Sequence, residues 1–125
     1  MSDQRPDARE LVEAVREFLE REVQPKLEGS TAFHARVAVN VLAIVERELA
    51  EGAALDAAEC ERLVALLGEE GELGALNERL AARIRAGELT VDDPALVAHL
   101  RATILGRLGI DNPRYGSYQR ALGRG

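Results

Sequence analysis

The longest apolar stretch of the chain covers residues 31–52, and its pattern predicts a helix at the centre of the fold. Apolar side chains lie on more than one side of this helix, at Val37, Val41 and Ile44 among others. A surface helix has one apolar stripe, whereas a helix that is apolar nearly all round is buried among other helices. β-branched residues have moderate helix propensity, so packing is expected to hold this segment. We therefore predict a central, largely buried second helix over about residues 31–51.

Four further segments carry apolar residues at the three-to-four spacing of an amphipathic helix. The first begins near Pro6. The helix after the central one is predicted to begin at Asp56, where Glu59 completes a capping-box pattern, and Gly52 is predicted to end the central helix just before it. Residues 110–125 show no sustained period and are predicted as a non-helical tail. Because no segment alternates like a strand, the predicted fold class is all-α, a compact five-helix bundle.

Length and composition are those of a single globular domain. The chain has 125 residues, of which 46% are hydrophobic and only 3% are aromatic. A chain of this length buries enough surface to fold without disulfides or metals. With no linker in the pattern, we predict one helical domain over residues 1–109 and a tail over residues 110–125 that packs on the domain or on a partner. The N-terminus carries no secretory signal and no apolar run reaches membrane-spanning length, so a cytoplasmic protein is expected.

The charge balance argues against two classes of partner. Sixteen basic and twenty-two acidic residues give a net charge of −6. Binding to a nucleic-acid backbone or to an anionic membrane surface requires clustered lysine and arginine. We therefore expect no nucleic acid and no membrane among the partners of this chain.

The sequence offers no recognisable catalytic or metal-binding set. Neither His34 nor His99 has an acidic residue three positions earlier, and the chain has one cysteine, Cys60. The pairs that di-iron bundles and zinc proteases use are therefore missing. No serine stands in a nucleophile elbow. No cofactor or metal is expected, and an enzymatic role is left open but is not favoured.

His34 opens the first group of candidate binding residues, which also contains Arg36 and Asn40. All three belong to the predicted central helix. A ligand-facing imidazole is one interpretation of His34. The other, which we favour, is a buried imidazole held by a structural hydrogen bond. Asn40 in turn is interpreted as a structural amide in preference to a binding residue.

The second group of candidate binding residues lies where the predicted tail begins. It consists of Asp111, Asn112, Arg114 and Tyr115. Tyrosine and arginine are the residue types that anchor protein interfaces. This segment is predicted either to dock on a partner or to fold over its own domain, and the sequence leaves both alternatives open.

Two long stretches resemble a known family. They read RPDARELVEAVREFLEREVQPKLEGSTAFHARVAVNVLAIVEREL and HLRATILGRLGIDNPRY. Together they resemble a family of short bacterial helical proteins of unknown function, often encoded beside aminoglycoside-phosphotransferase-like proteins and acyl-CoA dehydrogenases. The resemblance implies an all-α fold and a bacterial origin, and it supplies no catalytic residues.

Two functions follow as hypotheses. The favoured one is a non-catalytic interaction or accessory module for a phosphotransferase-like partner. The alternative is a small-molecule-binding protein or enzyme that uses a pocket beside His34. A homodimer is slightly favoured over a monomer, through either of two surfaces. One is the tail with its tyrosines and arginines, and the other is a seam of small residues that permits close helix approach, formed by Ala32, Val39, Ala43 and Ala50.

Overall fold

The computed structural model describes residues 5–123, and within that range it contains five α-helices and no strand. They are α1 (Ala8–Phe18), α2 (Gly29–Leu67), α3 (Leu73–Arg85), α4 (Pro94–Asp111) and α5 (Gly116–Ala121). A π-helical turn over Leu19–Val23 and a 3-10 turn over Gln24–Lys26 connect α1 to α2. The predicted all-α class and the number of helices are confirmed, although the boundaries differ from the prediction.

Helix α2 is continuous through the point where the sequence predicts two helix ends. It spans 39 residues, and both Gly52 and Asp56 lie inside it. The predicted end at Gly52 and the predicted cap at Asp56 are therefore wrong. A glycine inside a helix costs only about 1 kcal/mol relative to alanine, and the alanines that follow Gly52 favour helix. Gly52 also leaves room for the Glu48 carboxylate, which occupies the space that a Cβ atom would fill.

The chain divides into two units, and the boundary falls within α2. The N-terminal unit covers Met1–Gly52 and the C-terminal unit covers Ala53–Gly125. In the N-terminal unit, Asp7 caps α1 in a capping box: its carboxylate accepts a hydrogen bond from the Glu10 amide at 2.8 Å, and the Glu10 side chain accepts one from the Asp7 amide at 3.0 Å. The single domain predicted over residues 1–109 stays a prediction.

An ion pair joins α1 to α2 inside the N-terminal unit. The Arg16 guanidinium donates from Nε to the Glu46 carboxylate at 2.8 Å and from Nη1 to Glu20 at 2.8 Å. Hydrogen bonding and the charge of Glu46 raise the pKa of Arg16, although desolvation opposes this shift. The contact fixes which face of α2 lies towards α1.

The predicted burial of the central helix is corrected by the structure. Within residues 31–51, Val39 is the one buried side chain. A row of exposed apolar residues follows α2 in steps of four, and we call it the α2 stripe. It consists of Phe33, Val37, Val41, Val45 and Leu49. One neighbouring helix in the unit covers one face of α2, so the apolar residues on its other faces stay exposed. Helix α1 carries a similar exposed row, the α1 stripe, formed by Leu11, Val15 and Phe18.

The C-terminal unit holds the well-packed core. Its buried cluster contains leucines from α2, α3 and α4. They are Leu63, Leu67, Leu76, Leu80 and Leu96. Gly68 ends α2 with a φ of 72°, a left-handed conformation that favours glycine because it has no Cβ atom. Cys60 packs against this cluster, and its Sγ lies 3.6 Å from the Gly71 carbonyl oxygen.

The predicted non-helical tail is also corrected. Helix α4 passes through Gly109 and ends at Asp111, and α5 forms over Gly116–Ala121. Ile110 is fully buried and extends the packed side of α4 by another turn. The Tyr118 hydroxyl approaches so closely at Gly109 that a Cβ atom there would lie 2.9 Å from it. The chain after residue 109 therefore packs on α4 through a second helix.

Candidate functional site

The first group of predicted binding residues lies on the surface of the N-terminal unit. His34, Arg36 and Asn40 are all exposed side chains of α2. The His34 ring lies edge-on to the ring of Phe33, with 5.5 Å between the ring centroids. The prediction that His34 is a buried, hydrogen-bonded imidazole is wrong, because α1 covers a different face of the helix. A binding role for the three residues stays a prediction.

The second group of predicted binding residues surrounds the end of α4. Asp111 forms an ion pair with Arg107 at 3.6 Å. The Asn112 carbonyl oxygen accepts a hydrogen bond from the Tyr115 amide at 3.0 Å, which makes a tight turn before α5. The side chains of Arg114 and Tyr115 are exposed. This group belongs to the C-terminal unit, and its role in binding stays a prediction.

A third group of polar residues, centred on His99, was not among the binding residues predicted from the sequence. His99 is the one buried polar side chain among the described residues, with only 3% of its surface exposed. Arg62 on α2 donates from Nε to His99 Nδ1 at 3.1 Å and from Nη2 to Thr103 Oγ1 at 2.9 Å. One guanidinium thus joins α2 to two residues of α4, one helical turn apart.

The contact with Arg62 determines the protonation of His99. Because the guanidinium can only donate, Nδ1 must be the unprotonated nitrogen, and Nε2 carries the proton of the neutral ring. Burial lowers the pKa of His99, the positive charge of Arg62 lowers it further, and the carboxylate of Glu59 opposes both effects. The imidazole is therefore neutral near pH 7 and presents Nε2 as a donor.

Glu59 belongs to a polar cluster on one side of Arg62. Its carboxylate accepts a hydrogen bond from Asn77 Nδ2 on α3 at 3.1 Å. Beside it lies a narrow cleft of about 20 Å³, which is room for a single water molecule. Residues of α2 and α4 line this cleft. They are Leu55, Asp56, Glu59, Arg62, Ala102, Thr103, Gly106 and Arg107.

An open apolar depression lies on the other side of the His99–Arg62 contact. Its volume is about 330 Å³, and four of its six lining residues are alanines or leucines. The lining residues are Arg62, Ala65, Leu66, Ala95, Ala98 and His99. The arrangement can hold a small ligand that has an apolar part and a hydrogen-bond acceptor. The described residues contain no group of three or more histidines, cysteines or acids that could hold a metal ion.

The apolar pattern of the sequence does not indicate this site. His99 lies away from the side of its helix that the pattern assigns to the core, where Val97, Leu100 and Ile104 are exposed in the structure. A buried polar group requires a hydrogen-bond partner. That partner, Arg62, lies 37 positions earlier, and nothing in a single sequence pairs the two.

The lowered pKa of His99 predicts how stability depends on pH. Above the unfolded-state pKa of about 6.5, both states hold a neutral imidazole and the stability is at its full value. As the pH falls below that value, the unfolded state binds a proton first, so the free energy of unfolding decreases until the folded-state pKa is reached. Urea denaturation at about pH 7.5 and about pH 5.5 measures this decrease.

The matched comparison for this pH dependence is the other histidine. His99→Gln is expected to remove part of the decrease, whereas His34→Gln at the exposed position is expected to leave it intact. An equal pH dependence in the wild type and in His99→Gln would show that His99 does not contribute.

Comparison with known proteins identifies a family and adds no function. Residues 25–115 match a family described as "Domain of unknown function (DUF6285)". No curated protein and no solved structure gives a significant match to the chain. None of the helices over residues 5–123 is both long and apolar enough to span a membrane.

Proposed function

Since the chain belongs to the DUF6285 family, whose function is unknown, we propose a function from the geometry: the chain is a non-catalytic interaction module that pairs with a second copy of itself. The observation that carries this proposal is the α2 stripe. Five apolar side chains along one helix are exposed, and contiguous apolar patches on soluble proteins mark interaction sites.

The length of the α2 stripe suits an interface between helices. From Phe33 to Leu49 the helix rises about 24 Å at 1.5 Å per residue. Its members recur every four residues, which is the ridge that packs into the groove of a second helix. The α1 stripe adds apolar area towards the roughly 1,200 Å² that a stable interface buries in total.

The charges that flank the stripe favour an antiparallel pair. In a two-fold arrangement centred on Val41, residue 34 of one copy lies opposite residue 48 of the other. Glu48 of one copy then lies opposite His34, away from Glu48 of the other copy, so like charges are kept apart. A parallel pair would instead place Glu48 against Glu48. Such a two-fold interface is the commonest arrangement of soluble homo-oligomers.

For the accessory role, only the family resemblance indicates which class of protein the partner belongs to. That resemblance makes a phosphotransferase-like protein the first partner to test, and the exposed Arg114 and Tyr115 are the proposed contact residues. The alternative, a small-molecule site beside His34, requires a pocket lined by apolar groups next to this residue, which is an exposed side chain of α2.

Sedimentation equilibrium of the full chain at micromolar concentration tests the pairing. We expect a monomer–dimer equilibrium with twice the 13.6 kDa mass of the chain as its upper limit. A single species at the monomer mass over the whole concentration range would overturn the homodimer.

A further inference from the structure

We propose that the depression beside His99 is a binding site for a small carboxylate with an apolar chain, which accepts a hydrogen bond from His99 and is attracted by the charge of Arg62. This site lies in the C-terminal unit and is independent of the proposed interface on α2. A guanidinium and an imidazole N–H provide the polar end of the site, and alanine and leucine side chains provide the apolar end.

Arg62 is the first observation that points to an anion. Its guanidinium is half-buried, yet both of its hydrogen bonds go to uncharged acceptors, His99 Nδ1 and Thr103 Oγ1. Within residues 5–123, no carboxylate forms an ion pair with it. Glu59, one turn earlier, uses its carboxylate to accept from Asn77. A partly desolvated arginine without an ion-pair partner favours an external carboxylate.

His99 is the second, independent observation. With Nδ1 bound to Arg62, its remaining donor is Nε2–H, and no described residue accepts from it. No enclosed side-chain nitrogen or oxygen of the described residues lacks a partner, so Nε2 reaches the protein surface. The depression is the place where His99 does so. A carboxylate in the depression accepts from Nε2, and the positive charge of Arg62, on the Nδ1 side of the ring, attracts it over a longer distance.

The apolar lining of the depression indicates that the part of the ligand beyond its carboxylate is apolar. Ala65 and Leu66 of α2 and Ala95 and Ala98 of α4 face the depression, and none of them carries a polar side-chain group. A short aliphatic chain would cover these side chains and remove them from water, at about 0.8 kcal/mol for each buried methylene group. Inorganic anions such as phosphate would leave this surface wet and are not the expected ligand.

Titration with hexanoate, followed by NMR of the histidine imidazoles, tests the proposal. We expect saturable shifts of the His99 signals and none for His34. Hexan-1-ol, which has the same chain without the charge, is expected to bind about tenfold or more weakly. Equal shifts with hexan-1-ol, or no shift of the His99 signals with hexanoate, would overturn the proposal.

Three variants separate the two halves of the site. Arg62→Gln is expected to weaken hexanoate binding about tenfold or more, because the charge is lost. Ala98→Leu fills the depression from an exposed helix position, leaves the Arg62–His99 contact in place, and is expected to abolish binding even if Arg62→Gln proves too unstable to study. Arg101→Gln removes an exposed charge on the same helix and is expected to leave binding unchanged. Unaltered binding in Ala98→Leu would contradict the assigned site.

Discussion

Leu63→Ala is expected to lower the free energy of unfolding of the C-terminal unit by about 2–5 kcal/mol. Leu63 is 0% exposed and lies among the leucines of α2, α3 and α4. The substitution removes apolar surface from the core and leaves a cavity that a close-packed interior fills only partly. Such a loss is a large fraction of the 5–15 kcal/mol by which domains are typically stable. Urea denaturation followed by far-UV circular dichroism measures it.

The control for this substitution is Val91→Ala in the same unit. Val91 is 83% exposed, in the connection between α3 and α4, and truncating it is expected to change stability by no more than about 0.5 kcal/mol. If the two substitutions had similar effects, the leucine cluster would not be the core of the unit.

Val41→Glu is expected to weaken self-association about a hundredfold or more. Val41 is 50% exposed at the middle of the α2 stripe, on the axis of the proposed antiparallel pair. The substitution therefore places two carboxylates against each other, and like charges across an interface cost several kcal/mol. Glutamate is a good helix former, so α2 itself is expected to stay intact. Sedimentation equilibrium gives the dissociation constant of each variant.

Ala50→Glu is the matched control for the interface. Ala50 is exposed on the same helix, and at 100° per residue it lies on the face opposite Val41. This substitution adds the same charge and is expected to leave the dimer unchanged. The reverse result, with Ala50→Glu dissociating the dimer and Val41→Glu having no effect, would assign the interface to the alanine seam and refute the α2 stripe.

The fold class could be predicted from the sequence, because it depends on the periodicity of apolar residues. The helix boundaries could not be predicted, because they depend on small differences in free energy. Gly52 and Gly68 look alike in sequence, each closing an apolar helical segment. Gly68 adopts a positive φ and ends α2, whereas Gly52 stays helical. A glycine inside a helix costs about 1 kcal/mol relative to alanine, and the high helix propensity of the alanine-rich segment after Gly52 offsets this cost. No local pattern decides such a balance.

The candidate site shows a second limit, because burial is a tertiary property. The apolar residues around His34 favour it as the buried histidine, whereas His99 lies away from the apolar side of its predicted helix. The structure exposes His34 and buries His99, since three helices pack around the core of the C-terminal unit and only one covers α2 in the N-terminal unit. The hydrogen-bond partner of His99 lies on a different helix, so the three-dimensional structure was needed to identify this site.

The single cysteine can report movements of the connection between α2 and α3. Cys60 is half-buried, and its thiol lies against the connection that precedes α3. The leucine cluster and the Gly71 carbonyl cover part of the thiol, so a thiol reagent is expected to label Cys60 more slowly than a free thiol. Any movement of the connection that uncovers the thiol further is expected to raise the labelling rate. Because no second cysteine competes, the modified fraction can be read by mass alone without altering any residue.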